Sequence, residues 1–281
     1  MSRDNAEPLY ATASRIDYWF LIEYRGVWSR DALSGSGLSD QVKDALRRQV
    51  AAVPHGRLLF VRRPDRRGRP ELAAFAACSR EGEERLVGIE LERHDDLRGL
   101  DLLREAPVLD HPLLIVCTHG KHDPCCARYG RPLYEALRDE LDERWVWQSS
   151  HLGGDRFAGN LICLPEGLYF GRVARDQAPR VLDEYLAGRI DLEHYRGRSC
   201  QTFSVQAADR AVRLAQDLHG IHDLRFRHVE RTNGGWRVEL AGETGAVHVA
   251  DVESELGDLT LLTCNAEVAR RPPRYTATAV S

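Results

Sequence analysis

The sequence predicts an α/β fold: two similar layer sandwiches followed by a β-rich C-terminal region. Apolar runs of strand length alternate with stretches whose apolar residues recur at helical spacing, and that order of elements occurs twice between residues 18 and 186. Beyond residue 197, short strand-like runs cluster around the hairpin signal Asn233-Gly234-Gly235.

In the first repeat, strands are expected near 18–24, 57–61, 72–77 and 85–91. A helix begins at Ser39, whose hydroxyl can cap it, and Val42, Ala45, Leu46 and Val50 fall on one face. A short helix near 97–103 closes this half. The second repeat starts at Pro112, with a strand at 113–116, a helix at 131–141 and strands at 145–149 and 160–164. The turn Pro165-Glu-Gly167, a strand at 168–173 and a helix at 179–186 complete it. This order fits a thioredoxin-like layer sandwich. The chain therefore divides into residues 1–106, a thioredoxin-like unit with Gly26-Val-Trp28-Ser-Arg30 where a cysteine loop could stand; residues 107–196, a second such unit that has the cysteine loop; and residues 197–281. A linker-like Gly197-Arg-Ser-Cys-Gln201 leads to a helix near 205–218 and strands near 224–229, 236–240, 246–252 and 259–263. The end of the chain, from Arg270, reads as extended and mobile.

A chain of 281 residues with 43% hydrophobic and 29% charged residues can bury a sizeable core, and its net charge of -4 offers no general attraction to nucleic acid or an anionic membrane. The one basic run, from Arg62 to Pro70, has the composition of a solvated turn between strands. No apolar run approaches the ~20 residues needed to span a bilayer. The seven cysteines, an odd number without an export signal, point to a reducing cytoplasm rather than a disulfide framework.

Four cysteines, Cys78, Cys163, Cys200 and Cys264, lie among apolar or strand-like residues and are expected in the core. The other three sit in Cys117-Thr-His-Gly-Lys-His-Asp-Pro-Cys125-Cys126, at the end of the apolar run 113–116, where Gly, Pro and Asp oppose regular structure. A second loop, His151-Leu-Gly-Gly-Asp155-Arg156, offers an imidazole and a carboxylate four residues apart. Side chains that converge from the ends of neighbouring strands are what a metal site needs. Gly153 and Gly154 allow close approach of backbone N–H groups, and Arg156 can balance negative charge. Trp145 and Trp147, spaced to share one face of the strand beside the site, read as core packing rather than as an electron path.

The motifs Cys-Thr-His-Gly-x-x-Asp-x-Cys-Cys (117–126), Ser-His-Leu-Gly-Gly-x-Arg-Phe-Ala-Gly-Asn (150–160) and Leu-Pro-x-Gly-Leu-x-x-Gly (164–171) resemble those of the sucrase/ferredoxin-like family. The resemblance extends to Thr12-Ala-Ser14 and Trp28-Ser-Arg-Asp-Ala-Leu33. It implies a site domain similar to the thioredoxin-like ferredoxins, with a 2Fe-2S cluster held by two cysteines and by two histidines of a His-x-x-x-His element. Cys117, Cys126 and His151 match those positions, whereas Asp155 replaces the second histidine. The resemblance implies an electron carrier that docks a reductase and an acceptor, rather than a catalyst, and no glycosidase activity. With Asp155 as fourth ligand, the reduction potential is expected between those of all-cysteine and two-histidine centres. Cys125, His119 and His122 are the other candidate ligands. Two alternatives remain open on residue chemistry alone: a thiol-dependent oxidoreductase using Cys117, Cys125 and Cys126, and a structural zinc site with the same Cys, Cys, His and Asp donors.

Overall fold

Pairing of the apolar runs sets the architecture, seen in a computed structural model that describes residues 7–63, 70–243, 245–264 and 266–280. The first half runs β1 (Tyr18–Glu23), α1 (Asp40–Ala51), β2 (Gly56–Arg62), β3 (Leu72–Cys78), β4 (Arg85–Leu91) and a short α2 (Leu102–Glu105). Ser39 caps α1 by accepting the Val42 N–H, and Val42, Ala45 and Leu46 are buried on its inward face. The helix expected near 97–103 is instead a 3-10 turn at His94–Arg98 followed by α2.

The second half runs β5 (Leu113–Cys117), α3 (Pro124–Glu140), β6 (Val146–Ser149), β7 (Leu161–Leu164), β8 (Leu168–Phe170) and α4 (Ala178–Leu186). Within each half the first strand lies parallel to the second and antiparallel to the third, and the fourth pairs with the third. The halves join edge to edge through the antiparallel register Val61↔Ser149 and Arg62↔Gln148. The result is one curled nine-stranded sheet, in the order β4-β3-β1-β2-β6-β5-β7-β8-β9. Its ninth strand is β9 (Tyr195–Arg198), so the segment expected to begin a linker at Gly197 is buried in the sheet. Trp19, Leu21, Phe75, Ile115, Trp147, Ile162 and Tyr169, from both halves, share one core on one face of this sheet. Separate clusters lie under α1 and α2 and under α3 and α4.

The remaining elements are α5 (Phe203–Gln216), β10 (Leu224–Arg231), β11 (Gly235–Gly242), β12 (Val247–Leu256) and β13 (Pro273–Val280). The four strands form a separate antiparallel meander whose apolar face, with Val238, Leu240, Ala250 and Val252, packs on α5. No strand forms at 259–263, where Thr260 makes only an isolated bridge to Arg270. The tail read as extended and mobile is instead β13, paired with β12 along its length. Most of the basic run, 64–69, lies outside the described residues, and the reading of it as a turn goes with them.

α3 begins seven residues earlier than periodicity suggested. Asp123 caps it by accepting the Cys125 N–H at 2.8 Å, and Pro124 occupies its first turn, where a missing N–H costs nothing. Cys125 and Cys126 are therefore helical rather than part of an irregular loop. Gly130 lets α3 lie directly on the end of β5, since a Cβ there would stand 1.9 Å from the Cys117 carbonyl oxygen. Gly130→Ala must push the helix off the strand that carries Cys117. A loss of about 3 kcal/mol is expected in chemical denaturation, at the upper end of overpacking costs.

Candidate metal centre

β5 ends at Cys117 and the first turn of α3 presents Cys126, so the loop between them returns to its own strand end. β6 ends at Ser149, and the next segment carries His151 and then Asp155 in a short 3-10 turn. β5 and β6 are parallel neighbours in the middle of the sheet, Cys117 opposite Ser149, which places both loops at the same end of adjacent strands. Asn160 stitches them together: its carbonyl accepts the Cys117 N–H at 3.1 Å, and its side-chain amide donates to the Gly154 carbonyl at 2.8 Å.

The expected ligands meet in an overlapping chain: Cys117 reaches Cys126 and His151, and Asp155 reaches Cys126 and His151. One donor atom each from Cys117, Cys126 and His151 lies within 4.8 Å of the others. Cys126 Sγ is 3.9 Å from His151 Nδ1 and 3.8 Å from Asp155 Oδ1, and these last two atoms are 3.0 Å apart. Cys117, Cys126 and Asp155 are buried, while the His151 side chain keeps 19% exposure. Beside His151 opens a cleft of about 250 Å³ lined also by Arg57, His119 and His122.

Electrostatics divide the site. The hydrogen bond from Cys126, aided by nearby His151, holds Cys117 well below the ordinary thiol range. That same contact and burial push Cys126 far up, so of the two sulfurs Cys117 is the one that gives up its proton first. Burial raises Asp155 to about 6.

The other candidate ligands separate. His122 stacks on His151 with ring centroids 3.7 Å apart, and a nitrogen of its ring also lies within reach of His151 and Asp155. His119 is buried against the edge of Trp28, 5.7 Å between ring centroids. Cys125 points away and forms a disulfide with Cys264, whose N–H donates to Asp123 Oδ2 at 2.6 Å. Cys264 is thus a half-buried crosslink to the C-terminal region rather than a core thiol, and the chain does contain a disulfide. Cys78 and Cys163 are buried as expected, and Cys200 is half-buried.

Gly153 and Gly154 both hold positive φ, 95° and 78°. A Cβ at Gly154 would stand 2.5 Å from the Arg196 guanidinium. Arg156 turns to Glu7, a buried ion pair, and lies over the Phe157 ring rather than beside the sulfurs. The cation under the glycine loop is Arg196, which sequence reasoning missed. It donates to the Gly153 carbonyl at 3.3 Å, Asn160 Oδ1 at 2.8 Å and Thr12 Oγ1 at 3.0 Å. Nothing local marks it, because an arginine in Tyr-Arg-Gly-Arg-Ser reads as surface. Trp147 enters the core across the sheet while Trp145 packs against the opposite cluster, so the two do not share a face.

A curled α/β sheet with a buried Cys, Cys, His and Asp constellation defines a protein built around a potential metal site. The family model described as sucrase/ferredoxin-like matches residues 9–197, and the chain belongs to that family. It is similar to altered inheritance of mitochondria protein 32 of Debaryomyces hansenii, 32% identical over 95 residues, covering 30% of this chain and 35% of the relative. The counterpart in Eremothecium gossypii is 33% identical over 99 residues, covering 30% and 32%. The chain thus spans about a third of the length of these curated relatives. Among solved structures, a thioredoxin-like [2Fe-2S] ferredoxin from Aquifex aeolicus aligns with a TM-score of 0.29 and 14% identity, over 32% of this chain and 94% of that one.

Asp155 makes the metal-free protein sensitive to pH with a definite sign. Its carboxyl is raised from 3.8 to about 6 by burial, so the unfolded chain gives up the proton first. Stability falls as pH climbs from about 4 through about 6, by about 3 kcal/mol in all, and is flat above. Urea unfolding of metal-stripped protein between these pH values should show that slope, and Asp155→Asn should abolish it.

Proposed function

We propose that this chain is a metal-binding protein whose centre is held by Cys117, Cys126, His151 and Asp155. The observation that carries this reading is the convergence of two thiols, an imidazole and a carboxylate at one buried point. Donors bound to one tetrahedral ion at 2.0–2.3 Å stand roughly 3.3–3.8 Å apart. The contacts of 3.0, 3.8 and 3.9 Å among Cys126, His151 and Asp155 bracket that spacing, and Cys117 lies within 4.8 Å of Cys126 and His151. A single zinc-type ion in a closed structural site is the filling this geometry favours.

A second reading, electron transfer through a 2Fe-2S cluster, has its support in the family and in the split of the donors into two thiols and a histidine–carboxylate pair. Cys117 and Cys126 would hold one iron, His151 and Asp155 the other, with Gly153, Gly154 and Arg156 around the cluster. A rhombic core would set these two pairs farther apart than they stand here. A bound cluster would supply one-electron chemistry, and His151, the exposed ligand, would face a reductase and an acceptor. The thiol-dependent oxidoreductase reading rests on the lowered Cys117 pKa, although that sulfur lies behind His151 and His122. In all three, residues 1–106 and 107–196 are read as thioredoxin-like units, supported by the repeated strand pairing, and 197–281 as a third unit.

Metal and acid-labile sulfide analysis of anaerobically purified protein separates these fillings. About one zinc per chain without sulfide is expected. Visible colour with about two irons and sulfide would transfer the conclusion to the cluster. A colourless, metal-free protein that reduces a disulfide would leave the thiol reading. Asp155→Ala is expected to lose the metal and Asp155→His to keep it, and retention in Asp155→Ala would remove Asp155 from the ligand set.

A further inference from the structure

On the other side of the Cys117–Cys126 loop lies a second cleft, of about 440 Å³, which neither the family nor the metal reading accounts for. Four cationic side chains line it, Arg25, Arg62, Lys121 and Arg131, and no carboxylate does so among the described residues. This concentration of positive charge stands on a chain whose net charge is -4. Arg62 is held flat over the Trp28 ring, 4.0 Å from its centroid, and Arg25 is braced by Glu23 at 3.0 Å and by the Pro70 carbonyl at 3.4 Å. Lys121 and Arg131 are exposed and have no ion-pair partner among the described residues.

His119 lines the floor. It is 2% exposed, and neither ring nitrogen makes a hydrogen bond of normal geometry among the described residues, although the Trp28 and Ser29 backbone lies close enough to oppose the lowering of its pKa by burial. A buried polar group left unpaired costs about 1–3 kcal/mol, so such groups normally face something that satisfies them. A neutral imidazole offers one N–H, and around it stand two fixed guanidinium groups and two mobile cations. Guanidinium forks and ammonium groups around a buried donor recognise tetrahedral oxyanions. The cleft is of small-ligand size, and a group that enters it meets His119 on the side where the four cations stand.

We propose that this cleft binds a phosphate-class oxyanion, free or carried by a small metabolite, with His119 donating from the floor and Arg25, Arg62, Lys121 and Arg131 supplying the charge. The assignment is independent of which metal the neighbouring centre holds, because none of the four proposed ligands lines this cleft.

The full-length protein would be titrated with inorganic phosphate, and in parallel with adenosine diphosphate, against chloride at matched ionic strength. Calorimetry and the ring-nitrogen NMR signals of His119 would be followed. Saturable one-to-one binding that shifts the His119 ring is expected, weakened about tenfold in Lys121→Ala and again in Arg131→Ala. Both residues are exposed, so the variants should keep the native circular dichroism and melting temperature. Tighter binding of the nucleotide than of phosphate would identify a carried phosphate, and equal binding a free one. Shifts that follow ionic strength alone, or unchanged affinity in the double variant, would overturn the proposal. So would saturation by an acidic peptide without any by phosphate, which would make the surface a protein-docking face.

Discussion

The geometry of the metal loop depends on one buried cation. Arg196 rises from β9 at the edge of the large sheet and is fully enclosed, with no ion pair among the described residues, and burial draws its pKa down to about 10. Such a charge is costly to desolvate. It is offset by acceptors on three segments, Thr12, Gly153 and Asn160, and by the faces of Phe157 and Tyr169 at 4.8 and 5.1 Å. Each acceptor is consequently fixed relative to the others. Gly154 must be glycine because the guanidinium occupies the space of a side chain, and Asn160, held by Arg196, in turn holds the Cys117 strand. The path from β9 to the two loops is a chain of hydrogen bonds with one member that cannot be left unpaired.

The half without a cysteine loop completes the site from the other side. At the seam between β2 and β6, the Ser150 hydroxyl accepts the Phe60 N–H at 3.0 Å and the Ser150 N–H donates to the Phe60 carbonyl at 2.7 Å. Arg57 donates to the His151 carbonyl at 2.9 Å. Ser150 and the His151 backbone are thus pinned to a strand of the first half. Trp28, in the loop that answers to the cysteine loop, packs on His119. One half contributes the donors and the other forms the wall against which they are positioned, so the repeat is retained with its two copies differentiated.

Much of this was legible in the residue pattern because it rests on local rules. The strands of β1 to β4 and the face of α1 follow from apolar spacing, and the nearness of Cys117, Cys126, His151 and Asp155 was suggested by residue types beside strand ends. What escaped the sequence was set by distant contacts. The start of α3 was hidden because a Pro and two Cys look like loop until Asp123 is seen capping them. Arg196 was invisible because its meaning lies in acceptors 36 and 184 residues away. The Cys125–Cys264 pairing spans 139 residues, and nothing near Cys264 distinguishes it from a core thiol. The joining of the two sets of strands into one curled sheet turns on two residue pairs at the seam, which no periodicity encodes.

The protonation pattern of the centre carries its own argument about what the site is shaped to hold. Cys117, Cys126, Asp155 and the capping Asp123 bring four acidic groups close together, and the nearest arginines are spent elsewhere, Arg156 on Glu7 and Arg196 behind the glycine loop. Without a cation, protons must supply the missing positive charge. Cys126 and Asp155 express that need, each holding its proton to a higher pH than it would in water, while Cys117 lies low because Cys126 donates to it. Under the proposed function, a metal ion at the same point would do the work of those protons and displace them, so its binding would be coupled to proton release and strengthen as pH rises. Burial that is destabilising for a bare carboxylate becomes favourable once the carboxylate is a ligand. The same low-dielectric surroundings that penalise the empty arrangement therefore favour the filled one.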